Sequence, residues 1–245
     1  MRRGALTLLT AMILLPAAQV QAEESPVTSI APAEALSRLA VLNSNHPYLP
    51  LVRYALEQAD LRAAGQSVRG AILVDRVSLI EPKAIECGEK ALAILIDVDP
   101  APGDTIIEGE PAGFGTLLQL LRDADIAIGW ISQRTPAMLE SDIDALRSGP
   151  VPAFRDDDIQ LPAASSPAKQ DRRLGLAASH CVLAIAGDRR ADFDILFDYL
   201  RDPDYAIRLE AWMDRGWFLL PYPASVADAE LSPEAKELEQ PNDQP

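Results

Sequence analysis

Apolar residues run almost unbroken over four short stretches of this chain, and between those stretches they recur at helical spacing. The first stretch, 91–97 (ALAILID), stays apolar until its last residue, and Asp99 adds a second carboxylate two positions further on. A run this hydrophobic reads as a strand buried on both faces, as in a parallel sheet, with polar groups at its carboxyl end. Runs at 126–131, 181–186 and 217–220 predict three more strands. Helices are predicted at 32–42, with Leu36, Leu39 and Ala40 on one side and Pro32 in the first turn, and at 50–64, ended by Gly65. In the second of these Leu51, Tyr54, Ala55 and Leu61 form the packing side. Further helical patterns cover 113–123, 136–146, 169–176 and 192–200. Segment 70–80 fits either helix or strand, and 149–168 is a polar, proline-bearing excursion. Strands alternating with helices indicate βαβ units, hence an α/β fold with a Rossmann-like parallel sheet.

Composition adds the compartment. Arg2 and Arg3, the apolar GALTLLTAMILLPAA, and Val20 and Ala22 before Glu23 form a secretion-signal pattern over 1–22. The apolar run is too short and too interrupted for a membrane span, and no cysteine follows the cleavage position. The expectation is a periplasmic or secreted protein with no membrane anchor in its mature form. Its domains would be an N-terminal helical extension (23–80), an α/β domain (81–226) and an acidic tail (227–245). A net charge of -15 argues against a nucleic-acid or anionic-membrane partner. An oxidising compartment also permits a disulfide between the two cysteines, Cys87 and Cys181. Each lies shortly upstream of an apolar strand, so parallel neighbouring strands would bring both to one sheet edge. The alternative is two small buried residues.

Four polar features fall at predicted strand or helix ends: Asp97 and Asp99, Ser132, Lys169, and Asp188 with Asp192. Parallel strands put their carboxyl ends on one edge, where open α/β sheets bind ligands. Two carboxylates, a hydroxyl and a lysine suit phosphoryl transfer. One carboxylate attacks phosphorus, the second acts as acid and then base, and lysine and hydroxyl hold the phosphoryl oxygens. A magnesium ion would offset the charge of aspartates facing a phosphate.

This order of residues resembles the haloacid dehalogenase superfamily, in particular its secreted acid phosphatase branch, over about 91–223. The resemblance implies a Mg²⁺-dependent phosphomonoester hydrolase with Asp97 as nucleophile and Asp99 as general acid and base. It implies Ser132 and Lys169 as phosphate ligands, and Arg134 and Asp192 in support. Mg²⁺ would be held by Asp97, the backbone carbonyl of Asp99, and Asp188. The partner implied is a small phosphorylated molecule, with self-association left open. The chain departs from the family at Ala101, where a threonine that orders the loop is common. That departure leaves a second reading, an impaired protein of the same fold that binds a phosphorylated ligand or a protein partner. The intervals 97–132 and 132–169 leave no room for a large cap domain.

Other residues invite plainer readings. His46, in a turn before Pro47, is expected to face solvent or cap a helix, and His180 to lie at the sheet edge away from the chemistry. Asp156, Asp157 and Asp158 read as a solvated loop, and Trp130 as core. Ser132 has no G-x-S-x-G elbow around it and no histidine suitably placed as base, which argues against it as a hydrolase nucleophile.

Overall fold

The computed structural model describes residues 29–42, 46–74, 82–99, 113–147, 150–162, 168–201 and 206–221. The predicted signal 1–22, the tail 227–245 and Ala101 lie outside these residues. Five strands form a parallel sheet: β3 (Ala91–Asp97), β4 (Ile126–Ile131), β5 (Ile159–Leu161), β6 (His180–Gly187) and β7 (Trp217–Leu219), in the order β5-β4-β3-β6-β7. Two further strands, β1 (Arg69–Leu73) and β2 (Ala84–Glu86), make a separate antiparallel pair. The ambiguous segment thus begins as a strand, and the pair straddles the boundary expected at 80.

The described residues also form the α-helices α1 (Pro32–Val41), α2 (Leu49–Ala63), α3 (Phe114–Asp123), α4 (Pro136–Arg147), α5 (Lys169–Ser179) and α6 (Leu196–Tyr199). The end of α2 shows how local sequence sets a boundary. Gly65 takes φ +77°, its N–H bonds to the Arg62 carbonyl, and the Gln66 N–H reaches back to Leu61. Only glycine adopts that left-handed turn without a steric penalty.

Period-two alternation in β3 splits the core into two layers. Ile94 and Ile96 join Leu51, Leu56, Phe114, Leu118 and Trp130 on the face covered by α1 to α4. Leu95 joins Leu176, Ile185, Phe193 and Trp217 on the face covered by α5, the β1–β2 pair and the 190–217 segment. In β6 the register slips by one residue opposite Ala93 and Ile94, a bulge that lets Val182 and Ile185 share the second face.

Chain order positions the site. From β3 the sheet grows through β4 to β5, and the chain then returns along α5 to lay β6 on the other side of β3. The direction of winding reverses at β3, so a crevice opens outside its carboxyl end. At the opposite edge Cys87 and Cys181 form a disulfide, with Cα atoms 4.7 Å apart. Pairing of β3 with β6 brings the two cysteines together, as the strand arrangement suggested.

Two expectations need correction. The 149–168 excursion carries the edge strand β5, whose three residues are too few to show a period. Within it Asp158 is not solvated. Its carboxylate accepts hydrogen bonds from Arg122 at 2.6 and 3.0 Å, from Trp130 Nε1 at 2.8 Å and from the Arg155 N–H at 3.0 Å. Asp156 and Asp157 do face solvent. His46 is likewise buried, stacked on Phe114, its Nδ1 accepting the Tyr48 N–H ahead of α2. The solvent-facing expectation does not hold, and the bond reaches the residue just before α2 rather than capping an N–H of the helix itself.

Candidate active site

The crevice at β3 is built from strand ends. Asp97 is the last residue of β3, and its Oδ1 accepts the Asp99 N–H at 3.0 Å, closing a tight turn that points both carboxylates outward from the sheet edge. Ser132 and Gln133 follow β4. The Ser132 hydroxyl donates to Asp99 Oδ1 at 2.5 Å, and the Gln133 N–H donates to Asp99 Oδ2 at 2.6 Å. Asp99 is therefore fixed from the neighbouring strand.

Lys169 opens α5 and reaches the same place. Its ammonium bonds to Asp97 Oδ2, and lies 3.2 Å from Asp99 Oδ2 and 3.1 Å from Asp192 Oδ1. Asp192 sits in the short 3₁₀ turn Arg190–Asp192, with the Arg189 N–H on its Oδ2 at 2.9 Å. Its approach to the strand end depends on Gly187. A Cβ at that position would meet the Asp192 Cβ at 2.4 Å and Oδ2 at 2.7 Å. Asp188 follows β6, with Oδ1 3.4 Å from Arg189 Nε.

Electrostatics at this cluster are set by burial and by shared charge. Burial, with the hydrogen bond that its protonated form donates to Asp192, pushes the Asp97 carboxyl well above the usual carboxylate range, against the pull of Lys169. Burial also acts upward on Asp192, but its bond with Asp97 and the Lys169 ammonium hold it below that range. Burial acts downward on Lys169, and the charges of Asp97, Asp192 and Asp99 outweigh it, raising its pKa and keeping it protonated.

The structure brings Asp97, Asp99, Ser132, Lys169 and Asp192 into one bonded cluster. Arg134 is attached less directly: its N–H donates to Ser132 Oγ at 2.9 Å, while its guanidinium pairs with the buried Asp142 of α4. His180 begins β6, at the far end from this cluster, with Nδ1 2.8 Å from Ser179 Oγ.

Sequence reading missed Arg172, which donates to the Ser132 carbonyl at 2.6 Å and to the Leu161 carbonyl, tying β4 and β5 to α5. A signal existed, since Arg172 lies three residues after Lys169 and so on the same side of the helix. It also missed Arg173, a buried guanidinium donating to the Asp192 carbonyl at 2.5 Å. A cavity of about 240 Å³ opens beside the cluster, lined by Gln133, Lys169, Arg172, Ala191 and Ile195 among others. A cationic cavity flanked by carboxylates can hold a phosphate-sized anion against a nucleophile and an acid.

No protein-family model matches the chain, and no curated protein sequence matches it. Among solved structures, it is similar to a class C acid phosphatase from Bacillus anthracis with tungstate bound. Identity is 14%, the TM-score is 0.46, and the likeness covers 84% of this chain and 94% of that one. A second structure of the class C acid phosphatase from Bacillus anthracis matches with 17% identity and a TM-score of 0.44, over 79% of this chain and 85% of the other.

Proposed function

We propose that this protein is an exported phosphomonoester hydrolase that depends on Mg²⁺ and works through an aspartyl-phosphate intermediate on Asp97. The observation that carries this reading is the Lys169 ammonium bonded at once to Asp97, Asp99 and Asp192 at the winding reversal of the sheet. A lysine so placed presents positive charge to an incoming phosphate beside a nucleophile that it also orients.

The chemistry balances over two steps. An Asp97 carboxylate oxygen attacks phosphorus as the ester P–O bond breaks, and the departing alcohol oxygen takes the proton of Asp99. Asp99, now a carboxylate, takes a proton from water, whose oxygen attacks phosphorus and releases inorganic phosphate from Asp97. Ser132 and Lys169 hold phosphoryl oxygens during both steps. Hydrogen bonds from Ser132 and Gln133 orient the Asp99 carboxylate from the end of the neighbouring strand.

Donor chemistry suits Mg²⁺, a hard cation that takes oxygen ligands and keeps waters. Among the described residues no group of three or more His, Cys, Asp or Glu side chains forms a metal cage. The set proposed needs only two carboxylates, Asp97 and Asp188, with the Asp99 carbonyl. When bound, the ion would neutralise charge between the phosphate and these aspartates.

The test is hydrolysis of p-nitrophenyl phosphate by purified protein, with Mg²⁺ or with EDTA, beside Asp97→Asn. We expect release of phosphate that requires metal and falls about 10³-fold or more in the variant. Folded, Mg²⁺-loaded protein without turnover would replace this reading with a phosphate-ligand-binding one.

A further inference from the structure

A second cavity lies apart from the one beside Lys169. It measures about 700 Å³ and shares no lining residue with the catalytic cluster. Three arginines line it: Arg69 at the start of β1, Arg208, and Arg215 in the turn before β7. Tyr54 and Gln58 of α2 and Trp212 complete its main walls. No acidic side chain lines it among the described residues, although the chain as a whole carries a net charge of -15.

Several features make this a built cavity rather than a chance dent. Tyr54 is backed by Phe218, with ring centroids 5.5 Å apart, and Trp212 by the buried Trp217 at 5.7 Å. Both rings thus pack against buried aromatic residues and border the opening. The turn that carries Trp212 is tied down at Glu210, whose carboxylate accepts Arg190 Nε at 2.9 Å. Burial pushes the Tyr54 hydroxyl up while the charges of Arg215 and Arg69 pull it down, so both guanidiniums lie close enough to act on one point. By contrast, the described residues hold no ion pair involving Arg69, Arg208 or Arg215, whereas Arg38, Arg122, Arg134, Arg147, Arg155, Arg189 and Arg190 are all paired with carboxylates. Glu86 stands opposite Arg69 in the β1–β2 ladder without an ion pair to it, and guanidinium groups that have no ion pair among the described residues can match phosphate, sulfonate or carboxylate with two parallel bonds. The volume lies within the range of small-molecule sites.

We propose that this cavity binds a small planar organic anion with at least two negative charges, its ring against Trp212 and Tyr54 and its anionic groups on Arg69, Arg208 and Arg215. The site is independent of the phosphatase reading and separate from Lys169. A disulfonated naphthalene tests it, because a sulfonate cannot be hydrolysed by phosphoryl-transfer chemistry and its ring reports through tryptophan fluorescence.

Titration would be run by calorimetry and by fluorescence on the intact protein, on Arg208→Gln/Arg215→Gln, on Trp212→Leu and on Lys169→Met. We expect saturable binding that weakens about tenfold or more in the double arginine variant and weakens with salt. Trp212→Leu should weaken it too, and Lys169→Met should leave it unchanged. Inorganic sulfate, which lacks the ring, should bind more weakly than the disulfonate. The proposal is overturned if the protein does not bind the probe, if binding ignores the arginines, or if Lys169→Met abolishes it, which would place the probe in the catalytic crevice. Circular dichroism of each variant separates lost binding from lost folding, and Arg69→Gln repeats the charge test from a different element. Failure here leaves p-nitrophenyl phosphate turnover and its Asp97 dependence untouched.

Discussion

At the scale of single residues, Gly187 and His46 show how little free space the fold leaves. Gly187→Ala would drive a methyl group into Asp192, so the 190–192 turn must move away from Lys169. We expect a loss of about 1–3 kcal/mol in stability and a fall of about 10²-fold in kcat/KM, read by thermal denaturation and phosphatase assay together. His46 gives a pH signature. Burial lowers its pKa to about 4 from 6.5, so between those values the unfolded chain takes up a proton that the folded one refuses. Its contribution to stability is whole above pH 6.5 and is lost as pH falls towards 4. The loss is about 2 kcal/mol once solvent screening of the charged ring is allowed for. His46→Gln, which keeps an acceptor for the Tyr48 N–H, should show a smaller fall in Tm between pH 7 and 4.5 than the parent protein. These two residues also mark where sequence reading reached and stopped. The convergence of Asp97, Asp99, Ser132 and Lys169 was legible, because strand ends of a parallel sheet share an edge. The burial of His46 was not, since it depends on Phe114, nearly seventy positions away, docking against the turn.

Among the elements, α3, β4 and the segment before β5 are held together by one carboxylate. Asp158 receives Arg122 of α3 and the indole N–H of Trp130 of β4, and also turns its own backbone through Arg155. Asp158→Ala would leave a nearly buried guanidinium and an indole N–H without their partner, at a cost of about 3 kcal/mol. Urea denaturation should show the midpoint lowered with little change in slope. A run of three aspartates reads as solvated when taken as composition. Its third member escapes that reading because the chain bends into β5 there and aims it at Trp130. The main strands were legible from their apolar runs. β5 was not, because a three-residue edge strand pairs on one side only and needs no long hydrophobic signature.

For the whole molecule, the disulfide and the Lys169–aspartate cluster occupy opposite ends of the β3–β6 pair. Cys87 and Cys181 are 94 positions apart, so their bond removes much of the freedom of the unfolded chain, about 4–5 kcal/mol in the chain-entropy picture. Reduction, or the double substitution Cys87→Ser/Cys181→Ser, should lower Tm markedly. It should leave turnover below the transition nearly unchanged, because the bond lies away from Asp97. Activity that vanished on reduction in still-folded protein would show that the far edge controls the site.

The late arrival of β6 beside β3 has a consequence for synthesis. Until residues beyond His180 leave the ribosome, the strand that ends in Asp97 has β4 on one side and an open row of backbone donors and acceptors on the other. Such an edge is a template for pairing with another copy. The nascent chain therefore passes through a stage with a sticky central strand, shielded only when its C-terminal third closes over it.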